Sequence, residues 1–291
     1  MLRLWRSVSL LVRSSVLAIV VAFSGPLVWV ALSRANRHTL AKVPWAATIM
    51  LGLVALSWRY LNGWGPPFQT STWRRTFFRA RWPSRASPRW LLLAILSVVG
   101  ASQSIILLSF RLGHFSADAF ATAPYPPSTS LVSIYLGLFV TSLVAGFFEE
   151  AGFRGAMQTS LERSNGPRLA IVTASVLFYC IHLLHGWTHG DLVTMTAVAM
   201  SLFLPSVMLG ALAWVTDSIV PGIAVHTILD LISLPLERNA ARDLNLIPVW
   251  VTGIDRHFTA CCALLVISAI GIAAAWRRRA RWQGGSSDSV P

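Results

Sequence analysis

Polar residues are spaced so widely along this chain that apolar blocks, rather than alternating faces, set its pattern. Eight segments dominated by Leu, Val and Ala stand out, at roughly 14–32, 43–61, 90–110, 130–152, 168–187, 191–214, 219–236 and 257–276. A bilayer core of about 30 Å needs about 20 apolar residues of helix, and most of these segments meet that length. None alternates with period 2, so they read as helices rather than barrel strands. The pattern predicts an all-α membrane protein, a polytopic bundle of about eight transmembrane helices.

Composition agrees. Apolar residues make up 55 % of the 291 and charged ones 12 %, about half the roughly 25 % of a soluble domain. The mean hydropathy is +0.61. A soluble enzyme, a disordered chain and a disulfide scaffold are therefore disfavoured. Cys180, Cys261 and Cys262 lie inside apolar runs without framework spacing. Arg3, Arg6 and Arg13 precede the first segment as in a signal peptide. Its length and the lack of a small-x-small site instead predict a retained span.

The formal charge of +13 is first a statement about orientation. If the N-terminus is inside, 17 of the 24 Lys and Arg fall on inner segments and 7 on outer ones. Cytoplasmic loops are the basic ones, so both termini are expected in the cytosol of a multi-pass cell-membrane protein. Segment 62–89 interleaves Trp64, Trp73, Phe77, Phe78 and Trp82 with six arginines. Beside a span, that mixture is expected to lie on anionic lipid headgroups rather than on nucleic acid. No repeat and no soluble domain is visible, so residues 1–291 read as one membrane domain ending in a polar cytosolic tail, 277–291.

Charged groups inside spans cost a few kcal/mol and tend to mark function. Three places break the apolar pattern: Glu149-Glu150 with Arg154, Phe178 with His182, and His226 with Asp230. Each has a plain structural explanation. The glutamates could mark a span boundary, Glu150 and Arg154 an i,i+4 ion pair, and His226 and Asp230 a hydrogen-bonded pair between helices. Ser164-Asn165-Gly166-Pro167, however, is a turn signal that folds the fourth and fifth helices into a hairpin. Glu149 lies 14 residues before Arg163 and His182 lies 14 after Arg168, so both stand about 21 Å from the turn. His226 lies nine residues past Asp217, about 13 Å along its own helix. Three helices can thus deliver carboxylates and imidazoles to one depth on the cytosolic side.

Such a set can do two kinds of chemistry. A carboxylate helped by a histidine can deprotonate a water while other donors hold an oxyanion. Alternatively the side chains ligate a divalent metal whose bound water attacks. No HExxH helix and no GxSxG elbow occurs. A stripe of His182, His185 and His189 is a competing metal arrangement, although Gly186 interrupts its helix.

At these residues the chain resembles the CPBP family of intramembrane proteases, also called the CAAX-protease or Abi family, whose eukaryotic members include the Ras-converting enzyme. The family pattern is EExxxR, then FxxxH, then HxxxN or HxxxD, on separate transmembrane helices. Here it reads Glu149-Glu150…Arg154, Phe178…His182 and His226…Asp230, within a core of about 130–236. The resemblance implies an endopeptidase acting on a peptide or membrane-tethered protein near the membrane surface. Glu149 would be the general base and His182 would help hold the attacking water. Glu150 and Arg154 would pair to fix the helix, and His226 with residue 230 would face the oxyanion. Many relatives carry Asn where this chain has Asp230, and an ionised aspartate cannot donate to an oxyanion. Asp230 would then orient His226, be protonated, or join Glu149, His182 and His226 around a metal such as zinc. Both metal-dependent and metal-free catalysis are argued for the family, and Asp230 tilts the balance slightly towards a metal.

Overall fold

The computed structural model describes residues 9–39, 43–65, 71–81, 88–112, 131–186, 192–240 and 256–284. They form the helices α1 (Leu10–Thr39), α2 (Trp45–Leu61), α3 (Ser71–Phe77), α4 (Pro88–Leu112) and α5 (Leu131–Glu149). A π-helical stretch, Glu150–Gln158, continues α5 without a break. α6 (Thr159–Gly186), α7 (Leu192–Thr216), α8 (Val220–Ala240) and α9 (Arg256–Gly284) follow. There is no strand among the described residues. The all-helical expectation holds, and each apolar block predicted from sequence coincides with a helix.

Two stretches, Leu10–Thr39 and Val132–His182, are long and apolar enough to cross a membrane, and shorter apolar helices accompany them. Large apolar side chains also face outward, among them Val20, Leu27, Leu96, Val132, Ile267 and Ile270. Exposed apolar area on this scale calls for an apolar solvent.

The helices pack around three apolar clusters that converge on the π-helical stretch. Met50, Val54, Val144, Phe147, Ala151 and Ile219 join α2, α5 and the start of α8. Ala18, Ala22, Phe153, Met157, Ala174 and Phe178 join α1, the π-helical stretch and α6. Val98, Leu209, Leu212, Val225 and Leu229 join α4, α7 and α8. Small residues on α1 permit the close approach expected where lipid removes the hydrophobic drive between helices. A Cβ on Gly152 would stand 2.5 Å from the Ala18 carbonyl oxygen, so only glycine fits there.

The hairpin turn forms where the Ser-Asn-Gly-Pro signal places it. Gly166 has φ 75° and ψ 165°, a left-handed conformation that breaks α6 internally, and Pro167 opens the second half. Ser164 Oγ donates to the Leu161 carbonyl and so caps the first half.

Segment 62–89, expected to lie on headgroups, uses part of its charge within the fold. Its described part contains α3 and turns three arginines inward. Arg74 donates to the carbonyls of Gly63, Trp64 and Gly65. Arg79 pairs with Glu162, and Arg81 reaches Asp217 at 3.3 Å. Guanidinium groups next to free carbonyls and carboxylates are better satisfied inside the fold than by solvent. Trp64, Trp73 and Arg75 stay exposed. Trp82 and Arg85 lie outside the described residues.

Candidate active site

The end of α5, the π-helical stretch, the last turns of α6 and the first half of α8 bring the polar residues together at one depth. They form two tiers that differ in exposure. Glu150 and Arg154 are sealed, at 0 % and 1 % side-chain exposure, and pair at 2.9 Å. Above them Glu149 is 17 % exposed, His182 34 %, His226 11 % and Asp230 28 %.

The sealed tier holds the geometry of the upper one. Glu150 Oε1 accepts from His226 Nδ1 at 3.1 Å, which fixes that ring and turns Nε2 towards Glu149. Arg154 Nη2 donates to the Ser206 hydroxyl at 2.8 Å and to the Ser206 carbonyl at 3.2 Å, anchoring the ion pair to α7. Its guanidinium carbon sits 4.7 Å from the Phe178 ring centroid. Such a stacked, hydrogen-bonded arginine balances the desolvation of a buried carboxylate. Gly222 leaves the space for Glu150, since a Cβ there would meet Oε2 at 2.8 Å.

His182 is oriented in the same way by a different partner. Its Nδ1 lies 2.8 Å from the Phe178 carbonyl oxygen, which can only accept, so Nδ1 carries the proton. Both imidazoles therefore present Nε2 to Glu149. Glu149 Oε2 is 4.0 Å from His182 Nε2 and 3.8 Å from His226 Nε2, and Asp230 Oδ1 is 3.8 Å from the same His226 atom. These separations are too long for direct hydrogen bonds and suit one bridging water. Glu149 Oε2 has no hydrogen-bond partner although buried from solvent. A carboxylate oxygen without a partner, aimed between two imidazole nitrogens, is the arrangement a water-activating base requires.

Phe178 belongs to the motif by spelling, and packing shows what it does. Its ring lies 4.3 Å from that of His182, 6.2 Å from that of His226 and 5.2 Å from that of Phe153. One apolar ring thus packs against both imidazoles and covers Arg154.

Among the described residues, no group of three or more His, Cys, Asp or Glu side chains stands close enough to hold a metal ion. The donors Glu149, His182, His226 and Asp230 face a common gap without closing into a coordination shell. His189 lies outside the described residues, as does the side chain of His185.

Several supporting residues escape sequence reasoning. Ser206 is a lone hydroxyl beside Pro205 in an apolar run, a weak signal that could have been read. Gln158 Nε2 donates to Glu162 at 2.8 Å and to the Gly210 carbonyl at 2.9 Å. Glu162 is in turn paired with Arg79 from the segment after α3. That segment also accepts from Ile219 N at the Arg79 carbonyl, 3.2 Å, and from Ser218 Oγ at the Arg81 carbonyl, 2.6 Å. Residues 78–81 therefore strap the helix carrying Glu150 to the start of the helix carrying His226. No local spacing announces contacts 83 and 137 residues apart.

Fold and site together define an all-helical protein with outward apolar faces and a glutamate–histidine cluster on a sealed ion pair. Residues 131–232, roughly a third of the chain, match the family model described as Type II CAAX prenyl endopeptidase Rce1-like. This segment is thus a CAAX-protease (CPBP) domain, of a membrane-embedded protease family, and it contains all three motifs. No curated protein and no solved structure matches the chain.

Proposed function

We propose that this protein is an intramembrane endopeptidase that hydrolyses a peptide bond near the cytosolic membrane face, using a water activated by Glu149. The observation that carries the reading is Glu149 Oε2, unpartnered and 3.8–4.0 Å from Nε2 of both His226 and His182. Water in that gap donates one proton to Glu149 and lies against His182. As its oxygen bonds to the scissile carbonyl carbon, negative charge develops on the carbonyl oxygen. His226 keeps one proton on Nδ1 for Glu150, so in its imidazolium form Nε2–H is free to donate to that oxyanion. When the C–N bond breaks, Glu149 returns its proton to the departing amine. Asp230, close to the same Nε2, supports the charged form of His226. Glu150 and Arg154 act from below by fixing that ring.

The substrate in this reading is a peptide or membrane-tethered protein. The bundle spans the cell membrane eight times with both termini cytosolic, and exposed Trp73 and Arg75 meet anionic headgroups. Water activation in this proposal is metal-free, with a divalent metal such as zinc as the other route. The purified protein is expected to cleave a membrane-tethered reporter, and Glu149→Ala to abolish this with folding intact. Unchanged cleavage by that variant overturns the assignment. Chelation with EDTA is expected to leave the rate unchanged. Loss on chelation, with recovery on adding zinc, would establish the metal route.

A further inference from the structure

Beside the turn that carries the two glutamates, α1, α2 and α5 line an open cavity of about 590 Å³. That lies within the range of roughly 300–1,000 Å³ usual for ligand sites. Its floor is Phe147, Phe148 and Ala151, the residues that bracket Glu149 and Glu150. Val21 and the exposed Leu56 line its sides, and no acidic residue lines it. The mouth differs in character. Tyr60 and Trp64 stand there at 40 % and 54 % exposure. The exposed Arg59 guanidinium lies 4.8 Å from the Trp64 ring centroid, and the buried Arg74 lies 4.5 Å from that of Tyr60. Tyr and Trp at the end of an apolar helix mark headgroup depth, and an exposed arginine such as Arg59 among them attracts anionic lipid.

We infer that this cavity is a specific site for an anionic phospholipid of the cytosolic leaflet, with an acyl chain against Phe147 and Phe148 and the headgroup at Arg59 and Trp64. The assignment rests on the membrane-spanning part of the proposed function but not on proteolysis. The cavity is apolar along its length, with the exposed Arg59 guanidinium beside Trp64 at one end, which complements a single acyl chain joined to a phosphate. The lipid would buttress the turn carrying the two glutamates.

The test is native mass spectrometry of the full chain, purified in detergent and offered equal amounts of phosphatidylglycerol and phosphatidylcholine. Preferential retention of about one phosphatidylglycerol is expected. Arg59→Gln should weaken that retention about fivefold, the worth of one basic residue at an anionic surface. Ser57→Trp, which fills the cavity, should abolish it, and Arg75→Gln, an exposed arginine outside the cavity, should not change it. Helical content and monodispersity identify any variant that fails to fold, and Arg59 is exposed enough to be replaced without that risk. Equal retention of both lipids, or retention unaffected by Arg59→Gln and Ser57→Trp, overturns the proposal. Because binding is read without any substrate, a chain that binds lipid but cleaves nothing would sink the protease reading and leave this one standing.

Discussion

Adjacent glutamates in one motif receive opposite environments, and their substitutions should separate accordingly. Glu149 is partly exposed and unpartnered, whereas Glu150 is sealed against Arg154 and His226. Glu149→Gln preserves shape and removes the base. It should lower the cleavage rate by roughly 10²–10⁴, the usual worth of general base catalysis, with thermal unfolding in detergent unchanged. Glu150→Gln leaves Arg154 as an uncompensated buried charge and should destabilise the fold by about 3–5 kcal/mol. A Glu150→Gln protein as stable as the parent would show that the ion pair does not support the site. Sequence spacing alone brings Glu149, His182 and His226 to one level, because rise per residue is fixed. It cannot tell the two glutamates apart, because a helix register places both near the same depth and only packing decides which one is covered. The role of Phe178 is hidden for the same reason, since the site uses it as a ring between three neighbours.

At the scale of elements, helix identity was legible and helix shape was not. The apolar blocks and the Ser164–Pro167 turn signal place every helix boundary that the site depends on. Nothing in Glu150–Gln158 announces a π-helix, which arises where the chain must pack Gly152 onto α1 and Gly155 onto the Phe78 carbonyl at once. Such wide turns recur at functional sites, because the extra residue re-aims neighbouring side chains. Gly152→Ala should force α1 away from the turn, costing about 1–3 kcal/mol as overpacking does. Cleavage should fall with it, since the displaced turn carries Glu150 and follows Glu149. Normal activity at a normal unfolding temperature would contradict that close packing. The strap at residues 78–81 was the element least visible beforehand, as its arginines suggested lipid contact while three of them are used internally. Arg79→Ala strands Glu162 and loosens α8 against the π-helical stretch. The expected result is a lower kcat with KM little changed, because the strap touches no part of the open gap above Glu149. A change confined to KM would assign the strap to substrate contact instead.

Over the whole molecule, the proposed orientation rests on the distribution of basic residues. In the proposed orientation the inner segments carry 17 of the 24 basic residues, and Arg74, Arg79 and Arg81 are paired within the fold near the end of α2 and the start of α8. Internal pairing engages three of these charges, yet the remaining inner residues of the proposed orientation still outnumber the seven outer ones. The bias that orients a polytopic chain is counted during insertion, before any tertiary ion pair forms, so the folded pairing does not weaken it. Eight spans with both termini inside therefore require the segments between α4 and α5 and between α8 and α9 to emerge on the outer side. Single cysteines at Ser116 and Asn245, in a chain freed of its three native cysteines, should react with a membrane-impermeant maleimide in intact cells. A cysteine at Ser287 should react only after the membrane is opened. Labelling of Ser287→Cys in intact cells would reverse the orientation. It would also move the glutamate–histidine gap to the outer half of the membrane, so the same measurement decides on which side a substrate must be presented.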